Sequence, residues 1–464
     1  MIHVAYDEID YTPDYDRVRA MPNGGGPQWR FHASAFLPQC LMDFDRFRVE
    51  QSARLVADGR PFIYPLELTG RMAVKLTSGS PDFAPGLPDE VIKSIQGGRA
   101  ALVIFIIEPT ALEFVPGSRW VFDHIQEMID QKQLPASRVW FISGRVTGVE
   151  SFAAWLAARG YFEAEVFRFR AVAMLPSWFR ALYRAAAQGW DVEYDVEYAE
   201  DESATWASTV TRRPCPPSVF RQRWVAPEQL SSEWDEDVTR PKRFLCMNGK
   251  PHHHRQLIVA YLHGRGYAEQ SLVSFPDAPV DLNDTCASPV MADFLRESWL
   301  RLQPNLPLSI DAGPPPNLVS VPMKFARVEH NWPYRQSYFN ITTETTFFPG
   351  YPPHISEKLL KPALGLQPFI CVSVAHTLRY WRAIGFKTFS RVIDESYDED
   401  VDPAIRLARV FQTVDRLAAL TPREARELFF ECRPELEHNR AHFIEGPHQL
   451  DLVFDELEAQ VGST

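Results

Sequence analysis

Seven consecutive apolar residues, Ala101-Leu102-Val103-Ile104-Phe105-Ile106-Ile107, constrain this chain more than any other stretch. A run rich in β-branched residues, apolar on both faces, fits a strand covered on both sides, as in a parallel sheet. The alternation then continues. Val121, Ile125, Met128 and Ile129 fall at helical spacing, and Val139-Trp140-Phe141-Ile142 reads as a second buried strand closed by Ser143-Gly144. Phe152, Trp155 and Leu156 form another helical stripe, which Gly160 stops. Glu165-Val166-Phe167-Arg168-Phe169 alternates like a third, more exposed strand. Strand, helix, strand, helix, strand predicts a doubly wound parallel sheet.

At 464 residues the chain exceeds what one hydrophobic core usually serves, so two domains are expected. Residues 226–242 are polar and acidic with a proline near each end, and read as the linker. The expected domains are 1–230 and 241–464, with late helices free to cross back. Residues before Ala101 show no clear pattern. After the linker a second α/β series follows: a strand over 243–248, a turn at Gly249-Lys250-Pro251, and a helix over 253–263 ended by Gly264 and Gly266. Strands are read at 338–348 and 368–374, helices at 356–366 and 376–384, and mostly helix from 403 to 443. The expected fold class is α/β, two Rossmann-like domains facing across a cleft, the arrangement called GT-B.

The net charge of -12 argues against a general nucleic-acid or anionic-membrane surface. The N-terminus lacks the basic and apolar regions of a signal peptide, and no run is long enough to span a bilayer. The six cysteines (Cys40, Cys215, Cys246, Cys286, Cys371 and Cys432) are scattered without a CxxC pair. That excludes an obvious thiolate zinc site and fits a cytoplasmic protein.

Ligands of open α/β sheets gather at the carboxyl ends of strands. This selects Glu108 and Ser143 to Arg145 in the first half. In the second half it selects Asn248 to Arg255, the segment before Ser356, and Ser373 to His376. In Asn248-Gly249-Lys250-Pro251-His252-His253-His254-Arg255, a strand runs into a helix N-terminus. Backbone N–H groups there, with Lys250 and Arg255, suit a nucleotide phosphate. The alternative is a solvated basic turn with Arg255 packed on its own helix. The three histidines also admit a metal, although adjacent residues point different ways and no HxxxH spacing is present. The expectation is no metal.

In the segment His354-Ile355-Ser356-Glu357-Lys358-Leu359-Leu360-Lys361-Pro362-Ala363-Leu364-Gly365-Leu366-Gln367-Pro368-Phe369-Ile370, Ser356 can cap a helix with Glu357 and Lys358 in its first turn. A carboxylate there can accept from ribose hydroxyls, and an ammonium can meet a phosphate. The plain alternative is a capped surface helix. The segment resembles the donor-site motif of the α1,3-fucosyltransferases, through Ile355-Ser356-Glu357-Lys358-Leu359, Ala363-Leu364 and Pro368-Phe369-Ile370. The resemblance departs at Ser356, where Thr is usual, and at Pro362, where Asn is usual. It implies that Glu357 binds the nucleotide ribose and that Lys358 lies by the sugar-phosphate.

The expected function is therefore a metal-independent glycosyltransferase with a nucleotide-sugar as substrate and no cofactor. Its acceptor would be a glycan, a lipid-linked glycan or a protein hydroxyl. Asn248, Lys250, Arg255, Ser356, Glu357 and Lys358 would hold the donor. Glu108 and Glu344 are the catalytic candidates, Glu344 because it stands near the end of a strand before Glu357. Asp7, Asp10 and Glu67 are competing carboxylates in segments that cannot be placed. The acidic run from Asp394 to Asp402 reads as a solvated loop. The rivals are a metal-dependent hydrolase or phosphotransfer enzyme using the histidines, and a nucleotide-binding GT-B-like protein without turnover. A dehydrogenase is disfavoured because no GxGxxG follows a strand.

Overall fold

The structure, a computed structural model, describes residues 1–6, 28–32, 46–68, 87–106, 121–144, 148–198, 206–224, 234, 239–277, 288–310, 331–349 and 353–462. It is an α/β protein of parallel sheets, compatible with a Rossmann-like fold. The described residues fall into two compact units. One is drawn from Met1–Pro216 and Pro447–Thr464, the other from Pro217–Ser320 and Phe325–Gly446.

The first unit carries strands β1 (Ile2–Tyr6), β2 (Gln28–His32), β3 (Phe47–Gln51), β4 (Phe62–Leu68), β5 (Ala100–Ile106), β6 (Val139–Ser143), β7 (Arg168–Ala171), β8 (Trp190–Tyr198) and β9 (Trp206–Pro214). Six of them form an all-parallel sheet in the order β3-β1-β4-β5-β6-β7. Parallel neighbours need crossover connections. These include helices α1 (Ser52–Ala57), α2 (Asp89–Gln96), α3 (Val121–Gln131) and α4 (Gly148–Arg159), with α5 (Met174–Ala187) after β7. The apolar run read from sequence is β5, with Ala101 to Phe105 buried between β4 and β6. β2, β9 and β8 form a separate antiparallel sheet.

Two expectations shift. The third strand begins at Arg168 rather than Glu165, because residues 163–165 form a 3-10 turn whose Glu165 carboxylate accepts from the Phe162 N–H at 2.9 Å. The domain boundary also differs. Residues 217–224 group with the second unit, while the C-terminal helix Gln449–Gly462 groups with the first, the crossing back that the sequence left open. That helix is held by side chains: Arg46 to Asp455 at 2.6 Å, Arg170 to Glu456 at 2.7 Å, and Trp140 Nε1 to Gln460 Oε1 at 2.7 Å. Phe454 meets Phe47 edge-on at 4.9 Å.

The second unit carries β10 (Lys242–Met247), β11 (Ser271–Ser274), β12 (Ser337–Thr343) and β13 (Phe369–Val372) in an all-parallel sheet ordered β11-β10-β12-β13. Its helices are α6 (Pro217–Arg223), α7 (His253–Gly264), α8 (Pro289–Leu302), α9 (Trp332–Gln336), α10 (Glu357–Leu364) and α11 (Thr377–Ala383). They are followed by α12 (Pro403–Ala419), α13 (Pro422–Glu431) and α14 (Arg433–Glu445). Helix α7 is buried from His254 to Leu262, with Tyr261 stacked on Phe411 at 3.8 Å, so it lies inside the unit. Among the described residues no helix is long and apolar enough to cross a membrane.

Candidate functional site

In the four-stranded sheet the chain runs from β10 outward to β11, then returns to the other side for β12 and β13. The order therefore reverses between β10 and β12, the place where open α/β sheets leave a crevice beyond the carboxyl ends. The segment after β10 leads into the N-terminus of α7, and the segment after β12 leads to that of α10. The equivalent reversal in the six-stranded sheet falls between β1 and β4. The segments that follow those two strands lie outside the described residues, as do Asp7, Asp10, Arg145, Glu108 and most of the 226–242 linker. Glu67 lies on β4.

All six expected donor residues fall in one connected set around the reversal, with Thr343 and Glu344 as the links. Asn248 is buried, and its amide is consumed: Oδ1 accepts from Thr343 Oγ1 at 2.7 Å, and Nδ2 donates to Ser274 O at 3.3 Å. It ties the ends of β10, β11 and β12 together and has no spare amide group to offer a ligand. Arg255 is also buried and does not lie along its own helix. Nη2 donates to Thr343 O at 3.3 Å and Glu344 O at 3.1 Å, and Nη1 to Lys250 O at 3.2 Å. Its Nε is buried without a partner. A guanidinium held by carbonyls, rather than by a carboxylate, keeps its positive potential at the carboxyl end of the sheet. Burial is also what lowers its pKa. Lys250 is exposed.

Glu344 corrects the expectation of a cleft-facing catalytic carboxylate. It has no exposed surface, because β12 is a central strand and the chain turns inward after it. Its Oε1 accepts from the Ser356 N–H at 3.0 Å and its Oε2 from Ser356 Oγ at 2.5 Å. Its carbonyl accepts from His254 Nε2 at 2.8 Å and from Arg255. Glu344 thus fixes the starts of α7 and α10 against the sheet and has no access to an acceptor hydroxyl.

Ser356 caps α10 by accepting from the Lys358 N–H at 3.2 Å. Glu357 and Lys358 form the first turn and are partly buried. Burial alone would push the Glu357 carboxyl up. The adjacent ammonium groups of Lys358 and Lys361 outweigh it and hold the pKa at about 2, so this carboxylate stays ionised.

Two of the three histidines form a ring stack, and His253 lies tilted against Phe348 at 5.9 Å instead. His254 lies parallel to Phe347 at 5.1 Å, and His252 lies over His254 at 5.9 Å. Burial lowers His254 to about 3 and His252 to about 4, leaving both neutral near pH 7. Phe347 also lies 4.6 Å from the Arg406 guanidinium. Among the described residues no group of three or more His, Cys, Asp or Glu side chains is placed to share a metal ion. Cys246, Cys371 and Cys432 are free thiols, and these three and Cys215 are buried.

The acidic run is a solvated loop only in part: Asp394, Glu399 and Asp402 are exposed, but other members turn inward. Asp398 is buried and accepts from the Leu378 N–H at 3.0 Å, at the start of α11. Glu395 accepts from the Phe389 N–H at 2.6 Å, and Asp402 caps α12. Among the residues after β13, Ser373 donates to Thr346 O at 3.3 Å, and His376 Nδ1 lies 3.3 Å from Glu399. Of these, only the Asp402 cap had a local signal, an Asp directly before Pro403 at a helix start, easily lost in a charged run.

Compared with models of known families, the chain matches none, and no curated protein matches it.

Proposed function

We propose that the second unit binds a nucleotide at the reversal between β10 and β12, and that the protein is a GT-B-like glycosyltransferase using a nucleotide-sugar donor. One observation carries the reading. At that single point an ionised, partly buried carboxylate, Glu357, shares the sheet end with the positive groups Arg255 and Lys250 and with two helix N-termini. A carboxylate facing ribose hydroxyls and a positive region facing a phosphate are complementary to a nucleotide and to few other small molecules. The same positive groups would stabilise the charge that develops on a departing nucleoside diphosphate, or on a monophosphate if the donor is a CMP-sugar. The motif resemblance at Ser356-Glu357-Lys358 supports the same assignment. Glu344 enters as the residue that fixes both helix starts, not as a base.

The test is a thermal-shift panel of GDP, UDP, CMP and dTDP on the full chain. A ligand that binds only the folded protein raises its apparent stability, by about 2.7 kcal/mol at one hundred times its Kd. Stabilisation by one base over the others, followed by donor hydrolysis or transfer, is the expected outcome. No stabilisation by any of the four would remove the nucleotide reading.

A further inference from the structure

The nucleotide reading leaves open what Lys358 does, and the geometry around its ammonium answers differently from the motif. Nζ lies 2.9 Å from Glu357 Oε1, 3.1 Å from Ser356 Oγ and 3.3 Å from Thr345 Oγ1. Glu344 Oε2 is 3.9 Å away. An ammonium has three N–H donors, and here three protein oxygens are within reach of them. A phosphate would have to displace these oxygens, one of them a charged partner in a partly desolvated setting. Lys250 is exposed and stands just before the N-terminus of α7.

Resting on the nucleotide reading for its ligand, we infer that Lys358 is a positioning residue: it holds the Glu357 carboxylate ionised and oriented for a ribose, and does not touch the phosphate. The phosphate then falls at the α7 end of the reversal, by Lys250 and over the field of Arg255. The other groups facing Glu357 cannot replace Lys358. Lys361 lies one turn on along the same helix and makes no hydrogen bond to Glu357. Arg255, from α7, spends its Nη2 donors on backbone carbonyls, so it acts on Glu357 by charge alone and does not orient it. His354 is pushed towards its neutral form, with burial the largest cause. Tyr334, from α9, is pushed away from ionisation by burial and by Glu357 itself, so it stays uncharged. Removing the Lys358 charge would leave a partly desolvated carboxylate with only the more distant cations Lys361 and Arg255.

Two readouts decide the matter. The first is the carboxyl titration of Glu357 by carbon NMR in the full chain, assigned by the signal lost in Glu357→Gln. Lys358→Met should raise the midpoint by about one to three units, the usual effect of an opposite charge at this distance. Lys358→Arg, which keeps a cation, should restore much of the parent value. An unchanged midpoint in Lys358→Met would overturn the inference.

The second readout is calorimetric titration with nucleoside and nucleotide pairs: guanosine and GDP, uridine and UDP, cytidine and CMP. Acting through Glu357, Lys358→Met should weaken the nucleoside and its nucleotide by the same factor when titrated below the new midpoint, and affinity for both should recover as pH rises through it. A loss confined to the nucleotide would place Lys358 on the phosphate and contradict the inference. If the parent binds none of the six, the nucleotide reading fails, and the carboxyl titration still decides what Lys358 does.

Discussion

The two parallel sheets are built from the same kind of unit but spend their interiors differently. In the first unit, Phe122, Phe141, Phe152, Trp155, Phe167 and Phe169 pack ring against ring, with centroids 4.7 to 6.2 Å apart among the Phe122, Phe152 and Phe169 contacts. A buried acid there, Asp123, is answered by Trp155 Nε1 at 2.9 Å and a bidentate Arg159. In the second unit the central strand β12, Ser337-Tyr338-Phe339-Asn340-Ile341-Thr342-Thr343, is threaded by polar bonds. Asn340 donates to Gln367 Oε1 at 3.0 Å, Thr342 donates to Asn340 Oδ1 at 2.8 Å, and Thr343 donates to Asn248. Non-directional packing tolerates small shifts, whereas a satisfied polar network permits one arrangement. The difference teaches where accuracy is needed: the network ends at Asn248 and Glu344, under the candidate site.

That contrast predicts unequal responses to substitution. Phe141→Ala, in the aromatic core, should cost about 3–5 kcal/mol of stability in a denaturant titration, from lost burial plus the cavity left behind. Any folded fraction should keep the parent's nucleotide affinity. A cost well under this, or a loss of affinity without unfolding, would show that the two interiors are not independent.

Thr343→Val keeps the shape of the side chain but leaves Asn248 Oδ1 without its donor. The expected cost is about 1–3 kcal/mol, the penalty for an unsatisfied buried polar group. Nucleotide affinity should fall as well, because Asn248 sets the loop that carries Lys250. Stability lost with affinity untouched would separate the network from the site.

A smaller effect concerns pH. Burial raises Glu395 to about 7 and Asp398 to about 6, both above their unfolded values. The folded state therefore binds more protons than the unfolded state between about pH 4.5 and 7. This contribution to stability is fully present below the unfolded pKa and is lost as pH rises through the folded one. His252 and His254, shifted down, act in the opposite sense and lose stability as pH falls below their unfolded value of 6.5. Glu395→Gln isolates the acid. Relative to this variant the parent should be comparably stable at pH 4.5 and progressively less stable towards pH 8, followed by thermal unfolding in matched buffers. A constant difference across that range would rule out the shifted carboxyl.

The legible parts of the fold were those with one dominant signal. β5, β6 and β13 are short apolar runs, and β10 carries the apolar stretch Phe244 to Met247; their length and β-rich composition favour strands. β1, β3 and β4 were missed, although they make half of the six-stranded sheet. β3 carries Arg48 and Glu50, and β4 carries Pro65 and Glu67, residues depleted in strands on average. Only tertiary pairing settles them, beginning with the β1–β3 register from Ile2↔Phe47 to Tyr6↔Gln51. At the site, the loops at 248–255 and 354–358 and the Ser356 cap were readable from local signals. That Glu344 turns inward to hold Ser356, and that Arg255 reaches the carbonyls of β12 and its following residue, are contacts across about ninety and twelve positions of sequence. No local pattern encodes them.

The smallest effect on stability belongs to Glu357→Ala, and it carries the central claim. A first-turn carboxylate contributes at most about 1 kcal/mol through the helix dipole, and the lost Lys358 pair adds to that, so the variant should fold but melt modestly below the parent. If Glu357 holds two ribose hydroxyls, its removal deletes charge-assisted hydrogen bonds of about 1.5–3 kcal/mol each. The measurement is calorimetric titration of parent and variant with matched ribo- and deoxyribonucleotides. The account predicts tight binding only for the parent with the ribonucleotide, and weak binding, indifferent to the substitution, for the deoxyribonucleotide. Equal affinity in all four combinations would contradict it and remove Glu357 from the site.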